Sequence, residues 1–186
     1  MTKYATLVLM FAGLLAACES LAKQPAPASL FAAPISTTLL AVSIPVRGAE
    51  ATLLLVARNQ GVETWQTGDA VSISLRGGLI VGTRGLGFDV MGSDVSQTLS
   101  ALSGGRAGPY SVTRSYLTAD NQPGQVTASC KMRASGKDRH HIEECSAATG
   151  SFRNEYWLDG AGRVVRSVQW IGPEIQYLNI SHVVSG

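Results

Sequence analysis

Three cysteines, two adjacent histidines, a scatter of carboxylates and three tryptophans are the side chains here that could do chemistry. Cys18 ends the stretch Leu15-Ala16-Ala17-Cys18, small residues before a thiol, which is the bacterial lipobox pattern. Its chemistry would be covalent: cleavage before Cys18, a diacylglycerol thioether on its sulfur, then acylation of the new amino group. Upstream lie Lys3 and an apolar run from Leu7 to Ala17, about eleven residues where a membrane-spanning helix needs roughly 20. A basic start, a short apolar core and small residues before the cut describe a signal peptide over residues 1–17. The rival is an ordinary signal peptide with a chance cysteine; run length, flank and position together favour the lipobox.

With Cys18 acylated, Cys130 and Cys145 remain, and an even pair in an exported protein reads as a disulfide. Closing the polar loop between them, rich in charges from Lys131 to Glu144, stabilises a fold by about 3 kcal/mol in the chain-entropy model. The alternative is a metal site made from both thiols with His140 and His141. Their spacing lacks the C-x-x-C pairs of zinc motifs, and adjacent histidines on a strand point to opposite faces. No metal and no cofactor is expected.

Catalytic patterns are missing. H-E-x-x-H, G-x-x-x-x-G-K-[ST] and G-x-S-x-G do not occur. Ser20-Leu21-Ala22-Lys23 matches S-x-x-K, but without S-D-N or K-T-G downstream, and Gly85-Leu86-Gly87 lacks the third glycine of a dinucleotide fingerprint. A glycosidase would need only two convergent carboxylates. Asp69, Asp120 and Asp159 fall in expected turns, where aspartate bonds the local backbone, which leaves Asp89, Asp94 and Glu155. Trp65, Trp157 and Trp170, with Tyr156 beside Trp157, could offer flat rings to sugar faces, and core packing is the competing role for each. Tyr156 and Trp157 are neighbours, so a regular strand turns one of them outward.

The elements that must position these residues are mostly strands. After Cys18, residues 18–36 carry Pro25 and Pro27 among small residues without periodicity, a flexible tether. From residue 37 to 186 the pattern predicts one β-rich domain. Expected strands are 37–46, 50–58, 62–67, 71–76, 79–83, 110–118, 125–133, 139–147, 152–158, 163–171 and 175–183. Val71, Ile73 and Leu75 alternate with Ser72, Ser74 and Arg76, and Gly77-Gly78 suits a two-residue hairpin turn. One short helix is expected, capped by Ser93 or Asp94, with Val95, Leu99 and Leu102 on one face and Gly104 at its end. Strands at roughly ten-residue spacing with glycine-rich turns predict an antiparallel β-sandwich or barrel. Fifteen basic against 13 acidic side chains give no basic stripe, so nucleic acid is not an expected partner.

The run Asn154-Glu155-Tyr156-Trp157-Leu158-Asp159-Gly160 continuing through Ser167-Val168-Gln169-Trp170-Ile171-Gly172-Pro173 is long and distinctive. With Trp65 and Leu79-Ile80-Val81-Gly82-Thr83-Arg84-Gly85-Leu86-Gly87, it resembles the YjbF/GfcB family of lipoproteins over essentially the whole mature chain. That family pairs an I-v-x-T-x-G-L hairpin with a late Y-W-x-D…S-x-Q-W-I-G-P hairpin. The resemblance implies a mostly β fold and a role beside exopolysaccharide or group 4 capsule secretion machinery. It implies no enzymatic activity and carries over no sugar site.

The expectation is therefore a lipid-anchored periplasmic protein, a non-catalytic interaction or glycan-binding module for polysaccharide assembly or export. Its expected partners are the bilayer, through acylated Cys18, and a polysaccharide or export-machinery proteins. The outer membrane is the expected address, with Glu19 after the cysteine where aspartate would favour inner-membrane retention. The alternatives are a periplasmic carbohydrate-active enzyme and a structural envelope lipoprotein without glycan contact. Cys18→Ser should move the protein from the membrane fraction to the soluble fraction; unchanged membrane retention would defeat the lipobox.

Overall fold

The computed structural model describes residues 38–105, 108–136 and 138–184; the signal peptide, Cys18 and the tether lie outside the described residues. Twelve strands are described: β1 Thr38–Ile44, β2 Ala49–Asn59, β3 Val62–Gln66, β4 Ser72–Arg76, β5 Leu79–Arg84, β6 Asp89–Ser93, β7 Tyr110–Leu117, β8 Pro123–Ala134, β9 His140–Ala147, β10 Gly150–Leu158, β11 Val164–Gly172 and β12 Gln176–Val184. One α-helix among the described residues, α1 (Ser96–Leu102), links β6 to β7. The strands form one antiparallel sheet in the order β5-β4-β3-β2-β1-β12-β11-β10-β9-β8-β7-β6. The first and last strands pair in its middle, with Leu39 opposite Val183. Its two edges, β5 and β6, follow each other in the chain and come together, which makes a nearly closed barrel.

Alternation builds the barrel wall. In β4, Ile73 and Leu75 are buried between outward serines, and in β1 Leu40, Val42 and Ile44 point in. Together with Leu53, Trp65, Ile80, Phe88, Ile171 and Leu178 they form the largest core cluster. The turn between β4 and β5 has both glycines at positive φ, 57° and 82°, as a type I′ hairpin demands. Gly78 is required twice over, because a Cβ there would lie 2.6 Å from Cβ of Val164.

The sequence expectation differs from the structure most at three places, beyond shifts of a residue or two at strand ends. The first strand stops at Ile44, because Pro45 fixes φ and lacks an N–H, and Pro45–Arg47 form a 3-10 turn instead. Strand β6 was not expected: it is five residues long, contains Gly92 and carries a register shift between Val90 and Gly92, so no alternation shows. The helix starts at Ser96, whose N–H donates to Asp94 Oδ1. Val95, Leu99 and Leu102 meet Leu79, Tyr156 and Val164 in a cluster of their own.

Where the ladder runs out, side chains replace it. Along the unpaired but buried edge of β5, the Gln169 amide behaves like a missing strand: Nε2 donates to the Gly78 carbonyl (2.9 Å) and Oε1 accepts from Ile80 N–H (3.0 Å). Further along the seam, Thr83 Oγ1 accepts from Val90 N–H (2.9 Å) and donates to Asp89 Oδ1 (3.0 Å). A second gap opens between β10 and β11, which pair only from Glu155–Val168 to Leu158–Val164. Beyond that point Asn154 Oδ1 accepts from Trp170 N–H (2.7 Å), and Arg114 donates to the Trp170 carbonyl.

Gln169→Leu keeps the volume but strands the Gly78 carbonyl and Ile80 N–H. Each unsatisfied buried group costs about 1–3 kcal/mol, so urea denaturation should show a loss of roughly 2–5 kcal/mol. A loss below about 0.5 kcal/mol would mean that the seam does not need this amide. Burial, opposed by Glu63, holds the His182 imidazole below its usual value, and its ring meets the buried Trp65 edge-on at 5.5 Å. The unfolded chain therefore binds a proton near pH 6.5 that the fold resists, and stability should fall as the pH drops below about 6.5. In denaturation series between pH 7.5 and 5, His182→Gln should flatten that slope.

Candidate functional site

Inside the barrel, Glu143 of β9 is 2 % exposed and accepts four hydrogen bonds. Thr98 and Tyr110 donate to Oε1 at 2.8 Å each, and Asn154 and Tyr156 donate to Oε2 at 2.7 and 2.9 Å. Every partner is a donor, the set an acceptor-only carboxylate requires. Burial, reinforced by Glu143, pushes the Tyr156 phenol well above its usual value. Arg114 of β7 is buried as well, and desolvation pulls its guanidinium down while Tyr156 and Glu143 oppose that shift. The cluster ties helix α1 to β7, β9 and β10; four donors satisfy the Glu143 carboxylate, while Arg114 Nε is buried without a hydrogen-bond partner.

Cys130 and Cys145 are directly opposed on β8 and β9 and are joined by a disulfide. Their sulfurs and a Glu143 oxygen lie within 4.8 Å of one another. Both sulfurs are committed to each other and the carboxylate to four donors, so this donor set does not fit a metal ion. His140 and His141 do not join it: His140 lies against Glu155 and Trp157.

The candidate sugar contacts separate into different environments. Trp65 and Tyr156 are 1 % and 2 % exposed and point into the barrel, so neither offers a ring to a ligand. Trp157 is the outward member of the Tyr156–Trp157 pair, yet its faces are taken. His140 from β9 stacks on it at 4.4 Å, and Arg166 from β11 lies over it at 4.5 Å. These two partners come from the strands on either side of β10, so a pyranose finds no free face there. Trp170 is engaged in the same way: it stacks on Phe152 at 4.3 Å, the Arg114 guanidinium lies over its ring at 5.8 Å, and it pairs across strands with Tyr177.

The carboxylates are likewise locally engaged. Asp89 accepts from Thr83, Gly85 N–H and Leu86 N–H, Asp94 holds the start of α1, and Glu155 binds His140 and Arg153. Burial of Glu155 is outweighed by Arg153 and His140, which hold its carboxyl below the usual range. Asp159 organises its own turn through Ala161 N–H and Arg163.

A cleft of about 600 Å³ lies beside the gap between β10 and β11, lined among others by Cys130, Cys145, Phe152, Arg153 and Tyr177. Two polar rows cross its strands in register. Ser129, Ser146 and Ser151 form one, and Lys131, Glu144 and Arg153 the other. Arg153 N–H reaches Tyr177 Oη at 3.4 Å, which carries β10 across the gap to β12. Rings, hydroxyls and charges of both signs thus meet at one surface.

Glu143, Arg114, Phe152, Tyr177 and the serine row do not stand out from the sequence. Glu143 had a usable signal, because it lies two residues before Cys145 and a strand returns to the same face every second residue. Arg114 shared one, flanked at the same spacing by Val112 and Tyr116. The serine row had none, since register between distant strands is not written in either strand alone.

A family model described as group 4 capsule polysaccharide lipoprotein gfcB, YjbF matches residues 4–183. No curated protein matches the chain. Among solved structures, the crystal structure of the hypothetical lipoprotein YmcC from Escherichia coli (K12) is similar at a TM-score of 0.70. The two are 16% identical, over 84% of this chain and 87% of that one, and they share the fold. The chain belongs to the group 4 capsule polysaccharide lipoprotein family.

Proposed function

We propose that this family member is held in the cell envelope by acylated Cys18 and serves capsule or exopolysaccharide assembly or export by contacting glycan without catalysis. The contact is the cleft beside the β10–β11 gap, and the observation that carries the reading is its lining. Tyr177 and Phe152, the latter backed by Trp170, line it beside registered rows of serines and charged groups. Apolar ring faces with hydrogen-bonding edges suit sugar rings, whose faces are apolar and whose rims carry hydroxyls. Glu144 is the carboxylate lining the cleft, and Arg133 already pairs with it at 3.2 Å. Glycoside hydrolysis takes two carboxylates, so this lining supports binding rather than cleavage. We place the protein at the outer membrane, facing the periplasm.

Full-length Cys18→Ser protein, titrated with the native polysaccharide in a calorimeter, should release heat of binding. Tyr177→Ala should weaken binding about tenfold, the loss of one stacking contact of roughly 1–1.5 kcal/mol. No heat and no new reducing ends would remove both the glycan and the enzyme readings and leave an export-machinery protein as the partner. New reducing ends would establish the enzyme.

A further inference from the structure

We infer that the outer face of the sheet at the start of β1 is a lipid-docking surface, on which the barrel rests against the bilayer that anchors it. Val183, Leu39 and Leu54 are consecutive cross-strand partners on β12, β1 and β2, so their side chains form one row. Val56 follows at the register shift of β2, between Leu55 and Ala57, and is exposed beside the row. Leu54 is 50 % exposed, Val56 45 % and Val183 40 %. The described large hydrophobics that remain exposed are these three with Val46 and Met91, so most of them gather in one patch. The neighbouring row on this face is small or polar, Ser181, Ala41 and Thr52, which sets the apolar row apart.

The occupant follows from where the chain goes. Leu39 is the second described residue, and about 20 residues separate it from Cys18. This inference rests on the anchoring of Cys18. With those residues acting as the flexible tether expected from the sequence, a chain of that length would span about 25 Å on average, which would keep the patch within reach of its own lipid. At that range each encounter is intramolecular, and a weak apolar contact is amplified by high effective concentration. Burying half-exposed Leu and Val side chains in the acyl boundary needs no partner protein and leaves no hydrogen bond unmade, since β1 and β2 are paired on both sides.

The test uses mature lipidated protein in vesicles of phosphatidylethanolamine and phosphatidylglycerol carrying a spin-labelled lipid quencher. A fluorophore on Leu54→Cys should be quenched several-fold more than one on Met91→Cys, which is 62 % exposed on β6. Equal quenching at both sites in protein that floats with the vesicles would overturn the docking and leave the anchor standing. Protein that fails to float would remove the anchor and the inference together. A Leu54 signal that responds to protein concentration in the Cys18→Ser variant, without vesicles, would assign the row to a second copy and overturn lipid as its occupant.

Discussion

A sheet of twelve strands that curls until its edges meet must satisfy backbone groups that no thirteenth strand can reach. The ends of the chain are paired in the middle of the sheet, so the edges are two consecutive strands, β5 and β6. Residues 85–88 join them, and they do not share a ladder. The fold solves this with side chains: a glutamine amide imitates a peptide group along β5, and Thr83 with Asp89 bridges the far part of the seam. Each backbone group left unpaired inside would cost about 1–3 kcal/mol, a large share of a domain's net stability.

This constraint accounts for much of the late sequence run that identifies the family. Gln169 caps β5, Trp170 offers its backbone to Asn154 and Arg114, and Gly172 leaves room for Phe88, whose ring would stand 2.2 Å from an added Cβ. Thr83, Gly85, Leu86 and Asp89 form a second local set through the Asp89 carboxylate. These residues hold a barrel together. The distinctive run therefore serves closure, and the proposed binding surface would be a consequence of it. Because β10 and β11 part below Glu155, Phe152, Trp170 and Tyr177 come together beside a cleft instead of under a continuous ladder.

The architecture was legible where one rule acts alone. Period-two alternation gave β4 and the following glycine pair gave its hairpin, because one face is apolar and the turn needs positive φ. The two cysteines left after Cys18 could be paired by count, and they lie opposite each other on β8 and β9. Residues governed by two competing demands were not legible. Glu143 has the composition of a solvated loop, and only the four donors that converge on it from other elements make its burial tolerable. Trp157 is outward as alternation requires, but long-range register brings His140 and Arg166 onto its faces. The aromatic cluster at the cleft depends on a gap in pairing, and no local pattern announces where two strands will separate.

Strand β12 connects the two surfaces on which function is proposed to rest. Tyr177 stands near its start beside the cleft, and Val183 near its end in the apolar row. Six residues of extended chain separate them by about 20 Å. Both side chains lie on the same side of β12, so under the two proposals one end of the strand would meet lipid and the other would present the cleft. On these proposals the row would limit the orientation of the barrel, where a tether alone would limit only its distance from the bilayer. The hydrogen bonds of Gln169 and Glu143 tie the strands between those two ends into one frame, through which the two proposed contacts would share an orientation.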